Sequence, residues 1–270
     1  MVLAGGSIEG FRIQNGTHAG IQCEQSSLSI RENIISNTSS GHGIETDTGS
    51  SVTIENNIIY DNDLHGIDFQ GVAATIMNNT IVSNKDDGIG CTSGDGVMIK
   101  NNIIVSNEDH GISCDQSPEP PIFYNNVWGN TVGDYSGCSP GTGDISGNPL
   151  FEDSVACDFH ITTASPCIDA STSDGAPEFD FDGNGRYDDP NTGGGTDPYY
   201  DMGAYEYFSV CKGDFDKDGD VDGGDLVIFA DAIGSSSGGP GYNPVADFDG
   251  DGFVDENDLA AFAAEFGRTD

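Results

Sequence analysis

Positive charge is scarce: 8 Lys and Arg stand against 46 Asp and Glu in 270 residues, a formal net charge of -38. Nucleic acids and anionic membranes need a basic face, so neither is an expected partner. The same imbalance favours divalent cations. No hydrophobic run approaches the length of a bilayer span, so no membrane insertion is expected. Residues 1–6 lack the basic start and apolar core of an export signal. Hydrophobic residues amount to 35%, with 39 glycines, which is poor for a globular core. A solenoid tolerates this, because each coil needs few inward side chains and many turns.

Within this composition Gly-Ile returns five times, at Gly20-Ile21, Gly43-Ile44, Gly66-Ile67, Gly88-Ile89 and Gly111-Ile112, with steps of 23, 23, 22 and 23 residues. A period held that tightly points to stacked copies of one supersecondary unit. A second column, Ile54, Ile76 and Ile99, is followed each time by an Asn pair (56-57, 78-79, 101-102), and Asn125-Asn126 continues it. Short alternating β-branched runs such as 51–54 read as strands, and no helical period is present here. The Asn pairs fall where the chain turns; Asn tolerates left-handed backbone, and its amide can bond to the same amide one coil away. Each Gly-Ile supplies a flexible corner and then an inward apolar side chain.

These residues resemble the right-handed parallel β-helix of pectate-lyase-like proteins, over roughly residues 6 to 132. The implied fold class is an all-β right-handed parallel β-helix, a solenoid, across 1–132. The first coil begins almost at residue 6, and we read the chain as an N-terminally truncated piece that also lacks its export signal. Residues 133–208 lose the period. Their motifs at 148–151, 158–160, 165–169 and 201–207 look like the choice-of-anchor region that follows β-helices in secreted bacterial proteins. Leu150, Phe151, Phe159, Ile168 and Tyr205 are expected to cap the apolar end of the last coil.

The seven cysteines cannot all pair. Cys23, Cys91 and Cys114 each lie two residues after a repeat isoleucine, sharing their column with Thr46 and Phe69. Strand alternation points that column inward. It is either a stack of buried thiols or, at Cys91 and Cys114, a bridge between coils. In an exported protein Cys138, Cys157, Cys167 and Cys211 can form two bridges, in any of three pairings.

Residues 209–270 carry the most specific pattern. Asp214, Asp216, Asp218, Gly219, Asp222 and Asp225 fall at positions 1, 3, 5, 6, 9 and 12 of an EF-hand calcium loop, with Asp220 at 7 offering its carbonyl. The loop returns 33 residues later as Asp247, Asp249, Asp251, Gly252, Phe253 (by its carbonyl), Asp255 and Asp258. Each loop leads into a short helix of matching apolar spacing, Leu226, Phe229, Ala230, Ile233 and Leu259, Phe262, Ala263, Phe266. The two apolar faces are expected to pack together. A less complete match places Asp180, Asp182, Asn184, Gly185 and Asp188 at positions 1, 3, 5, 6 and 9, with Asn191 at 12, offering a third Ca²⁺ site near 180–191.

A calcium loop followed by one helix, used twice, resembles a type I dockerin, a small α-helical, EF-hand-like domain. The resemblance implies two bound Ca²⁺ ions and docking to a cohesin-like domain. Positions 10 and 11 often make the contact; here they are Gly223, Gly224, Glu256 and Asn257. Packing on the chain's own β-helix surface is the other partner considered. The resemblance also implies a secreted, extracellular or cell-surface location.

Before each Gly-Ile stand Ala19, His42, His65, Asp87 and His110, preceded in two coils by Asp86 and Asp109. Stacking puts them on one rim at about 4.8 Å per coil. Asp86, Asp109, His65 and His110 are therefore candidates for acid–base catalysis on a polysaccharide, or for a metal. Two functional readings follow: a secreted calcium-binding β-helix protein tethered through its tail, or the C-terminal part of a polysaccharide-degrading glycoside hydrolase or lyase delivered by its dockerin.

Overall fold

The computed structural model describes residues 2–3, 6–70, 73–92, 96–115, 118–186, 200–207, 213–215, 220–243, 246–249 and 251–268. Two compact units emerge, Met1–Asp188 with Gly195–Tyr207, and Asp189–Gly194 with Phe208–Asp270.

The larger unit is a right-handed parallel β-solenoid of about five turns. Three parallel sheets run along it, of seven, six and six strands. One turn takes a strand from each, for example Ile67–Phe69, Ala73–Met77 and Thr80–Val82. In the first sheet Ile21, Ile44, Ile67, Ile89 and Ile112 stand in register and are fully buried. The second sheet aligns Ile30, Ile54, Ile76 and Ile99 in the same way. A third column, Ile35, Ile59, Ile81 and Ile104, completes the core.

The repeat glycines work differently from the flexible corner expected. None of the five is in the left-handed region. Instead the coils approach too closely for a side chain: a Cβ on Gly43 would lie 2.6 Å from the Gly66 carbonyl oxygen, and one on Gly66 2.7 Å from that of Gly88. The left-handed residues include the first members of the Asn pairs, Asn56, Asn78 and Asn101, with Glu32 and Tyr124 at the equivalent places, and a second set, Asn37, Asp61, Ser83 and Ser106. The second members Asn57, Asn79 and Asn102 point inward and, with Asn33 before them and Asn125 after them, form a ladder, Asn33 to Asn57 to Asn79 to Asn102 to Asn125, each Nδ2 donating to the next Oδ1 at 2.9–3.1 Å, so that the 125-126 pair is shifted by one residue from the others. A second ladder, Asn62 to Asn84 to Asn107 to Asn130, lines the corner between the third and first sheets.

Phe151, Phe159, Ile168 and Tyr205, expected to cap the end of the stack, lie along its flank. The stack continues through Gly133–Ser136 and the bridging residues Thr142 and Ile145. Beyond these, Phe159, Ile161, Cys167, Met202, Ala204 and Tyr205 pack on the outward side chains Ile58, Tyr60, Val82, Ile103 and Val105 of the third sheet. That sheet is apolar on both faces, so its outer face needs a cover. The first Asn of the 56-57, 78-79 and 101-102 pairs binds the cover: Asn56 donates to the Phe179 carbonyl, Asn78 to those of Asp201 and Gly203, and Asn101 to that of Thr172.

Arg186 anchors this layer. Its fully buried guanidinium donates to Glu206 Oε2 at 2.8 Å, Asn56 Oδ1 at 2.8 Å and the Gly203 carbonyl at 3.0 Å. Asp201 beside it is held well above the usual carboxylate range, by burial first and then by the Glu206 charge. Removing one member of a buried, hydrogen-bonded pair leaves the other charge uncompensated. Arg186→Met is therefore expected to cost about 3–5 kcal/mol in a denaturant melt, with much of the loss recovered in Arg186→Met/Glu206→Leu. An unchanged melt for the single variant would contradict this role.

Cys23, Cys91 and Cys114 are buried and unbridged, which resolves that column in favour of stacked thiols. Cys138, Cys157 and Cys167 are also free, correcting the expected bridges among them; Cys211 lies outside the described residues. Cys167 is fully buried, and burial pushes its thiol up to about 12. Alkylation of the native protein is expected to label the exposed Cys157 quickly while Cys23, Cys91 and Cys167 react only on unfolding. Native labelling of Cys91 would overturn its burial.

Calcium loops and a histidine–aspartate rim

In the smaller unit, helix α1 spans Gly223–Ala232 and helix α2 spans Glu256–Glu265. Each starts in a capping box built from calcium-loop positions 9 and 12. Asp222 Oδ1 accepts from the Gly224 amide, and Asp225 Oδ2 accepts from the Asp222 amide at 2.9 Å. Asp255 and Asp258 repeat this on α2, both at 2.8 Å. The remaining oxygen of Asp258 accepts from the Phe248 amide at 2.7 Å, and that of Asp225 from the Phe215 amide. One buried carboxylate thus closes each loop and starts its helix. The Asp-x-x-Asp spacing was a readable signal for these caps.

The structure brings Asp247, Asp249 and Asp258 together, with ligand oxygens within 4.8 Å of one another, and does the same for Asp220, Asp222 and Asp225. Oxygens around one Ca²⁺ at 2.3–2.6 Å stand at most about 5 Å apart, so the donor set and its spacing fit that ion. Asp251 lies in the same loop, its Oδ1 turned back to the Phe253 amide. Gly252 takes a φ of +90°, the sharp turn that position 6 requires. Asp249 is held above the usual carboxylate range: the Asp251 amide lowers it, but desolvation and the charges of Asp251, Asp258 and Asp247 outweigh that. Asp214 is described; Asp216, Asp218 and Gly219 lie outside the described residues.

The expected pairing of helix faces is only half right. Phe229 and Phe262 are buried and stack at 5.0 Å with 12° between ring planes. Leu226 and Leu259, at 42% and 40% exposure, do not meet in that core, and Ile233 and Phe266 are also exposed. Asp225 and Asp258 occupy the inner face instead. Val221 exchanges backbone hydrogen bonds with Gly267 and Arg268 beyond α2, while Val254 does so with Gly234 and Ser235 beyond α1. Each loop is thereby tied to the end of the other loop's helix. Glu256 and Asn257 are exposed at the start of α2, as is Gly223 at the start of α1, with Gly224 half-buried beside it.

In the 180–186 segment Asp180 is buried, and its oxygens accept from the amides of Asp182, Asn184 and Glu206. Asp182 is engaged by His160 Nε2 at 2.9 Å, and Asp188 lies outside the described residues. On the solenoid, the rim candidates do converge: His65, Asp86 and Asp87 form one group, and Asp87, Asp109 and His110 another. Burial raises the Asp87 carboxyl against the opposing pull of the His110 amide.

The family model for the right handed beta helix region matches residues 3–149, more than half the chain, and the chain belongs to that family. The Dockerin type I domain model matches residues 212–266. The protein is thus a dockerin-bearing β-helix protein. No curated protein and no solved structure gives a significant match. Among the described residues no helix is long and apolar enough to cross a membrane.

Proposed function

We propose that this protein is a secreted β-helix module held in an extracellular assembly by calcium-dependent docking of residues 209–270 to a cohesin-type domain. In this division the coils run on past 132 to Ile145, the covering region takes up the rest of 133–208, and 209–270 are the docking module. Ca²⁺ is bound by Asp214, Asp216, Asp218, Asp220, Asp222 and Asp225 in the first loop. The second uses Asp247, Asp249, Asp251, Phe253, Asp255 and Asp258.

The observation that carries the docking role is the exposed apolar surface on both helices. Leu226, Val227 and Ile233 on and just beyond α1, and Leu259 and Phe266 at the matching places on α2, stay exposed. The two helices follow equivalent calcium loops, so each offers an apolar strip flanked by the loop residues Gly223, Gly224, Glu256 and Asn257. Exposed apolar patches of this kind mark partner surfaces. The test is binding of the full chain to a panel of immobilised cohesin domains in Ca²⁺ and in chelator. Calcium-dependent capture that is lost in Leu226→Asp/Leu259→Asp supports the reading. No capture by any cohesin, or capture unchanged by chelator, overturns it.

A further inference from the structure

A groove follows the corner where the third sheet ends, and two cavities meet along it. Tyr60, Val82, Val105 and Trp128 are register partners in successive coils, an apolar strip with an aromatic residue at each end. The next residue in each coil, Asp61, Ser83, Ser106 and Gly129, takes left-handed backbone. The amides of Asp61, Ser83 and Ser106 donate to the carbonyls of Val82, Val105 and Trp128 one coil on. Asp61, Ser83 and Ser106 therefore form a polar column beside the apolar strip. A cavity of about 280 Å³ opens over the strip and is also lined by Pro149, Phe151 and Phe159 of the covering region. A second, of about 580 Å³, is lined by Asn37, Ser39, Asp63 and Lys85. The two share Asp61, Ser83 and Ser106.

This groove is apolar on one side and polar on the other. Among the described residues the side chains of Asp61, Ser83 and Ser106 have no hydrogen-bond partner in the protein. A wholly apolar ligand would leave them unpaired, so the cleft calls for a ligand with an apolar face and a hydroxylated edge. A pyranose ring has that make-up, with C–H groups on its faces, which stack on aromatic rings, and hydroxyls around its edge. The spacing agrees: coils repeat at about 4.8 Å, close to the length of one pyranose unit in an extended chain. From Tyr60 to Trp128 is three coil steps, about 14 Å, so successive sugars meet equivalent residues of successive coils.

Charge decides among glycans. Lys85 is the single cation lining either cavity among the described residues, and Asp63 pairs with it. Asp61 and Glu108 add negative charge to the same walls. An acidic glycan would find no free cation on a protein of net charge -38, whereas a neutral one is not repelled. Burial raises the Asp61 carboxyl against the pull of Lys85, as expected of a partly desolvated corner.

We propose that this corner groove binds a neutral, extended pyranose glycan, with Trp128 stacking on a sugar ring and Asp61, Ser83 and Ser106 hydrogen-bonding to sugar hydroxyls. The groove lies wholly within the solenoid unit, so glycan binding is separate from docking of the tail.

Trp128 is the one tryptophan in the chain, so its fluorescence reports on this groove alone. Cellohexaose, xylohexaose and mannohexaose are titrated into the full chain in Ca²⁺, with hexagalacturonate as the charged control. At least one neutral hexaose is expected to give a saturable change in emission, at least tenfold tighter than its disaccharide, with no response to hexagalacturonate. By calorimetry, Trp128→Ala and Ser83→Ala/Ser106→Ala are each expected to weaken binding at least tenfold. The double Ser variant removes only two hydroxyls at the surface corner, and thermal melts check that both variants fold as the parent does. No response to any of the three neutral hexaoses, equal binding of hexagalacturonate, or parent-like calorimetry in either variant would overturn the proposal.

Discussion

Ile67→Asp is expected to abolish cooperative folding of the solenoid. Ile67 has no exposed surface and stands between Ile44 and Ile89 in the middle of the first column. The substitution forfeits about 1.5–3 kcal/mol of apolar burial. It also places a carboxyl group among isoleucines with no donor to receive it, where even the neutral form costs several kcal/mol. Against a total stability of about 5–15 kcal/mol, that loss is decisive. Coils touch only their neighbours, so a break in the centre separates the stack into two short halves. Ile67→Val, expected to cost about 0.5–1.5 kcal/mol, is the control. A thermal melt of Ile67→Asp that overlays the parent would contradict the placement of this column.

Removing Ca²⁺ is expected to unfold the tail and leave the solenoid standing. The two helices have ten residues each, below the length of about 12–15 at which isolated helices become even marginal. Their starts depend on Asp225 and Asp258, buried carboxylates set among other acids. Without a cation the repulsion that already raises Asp249 opposes closure of the loop. With Ca²⁺ the free energy of binding becomes folding free energy, about 4 kcal/mol at a concentration 1,000 times the dissociation constant. Calorimetry of the full chain should therefore show one transition that moves with Ca²⁺ and a second that does not. Asp247→Ala/Asp258→Ala should remove the dependence contributed by the second loop. A tail transition indifferent to chelator would refute the metal requirement.

Much of this architecture was legible because solenoids write their period into the chain. The first two isoleucine columns follow from spacing alone, as does the inward turn of Cys23, Cys91 and Cys114. The third column was equally present, in Ile34-Ile35, Ile58-Ile59 and Ile103-Ile104, and so was the second ladder, at Asn62, Asn84, Asn107 and Asn130. The same doubled isoleucines carried a further message. A strand apolar at consecutive positions is covered on both faces, so a flank layer was required rather than an end cap alone. What pattern could not reveal is which distant residue completes a contact. Arg186 meets Asn56 and Glu206 only after the flank segment has folded back along the sheet. In the tail, i, i+3, i+4, i+7 spacing located the apolar residues but not which of them would be inside. Loop closure turns Asp225 and Asp258 inward and leaves Leu226 and Leu259, one residue on, facing solvent.

The most direct measurement of the central claim is amide hydrogen exchange on the full chain with Ca²⁺ and with chelator. If the tail is a metal-folded docking module beside a metal-independent solenoid, peptides covering α1 and α2 gain strong protection with Ca²⁺, while those covering the isoleucine columns are unchanged. Equal protection of α1 and α2 in chelator, or a solenoid that loosens when Ca²⁺ is withdrawn, would contradict the account.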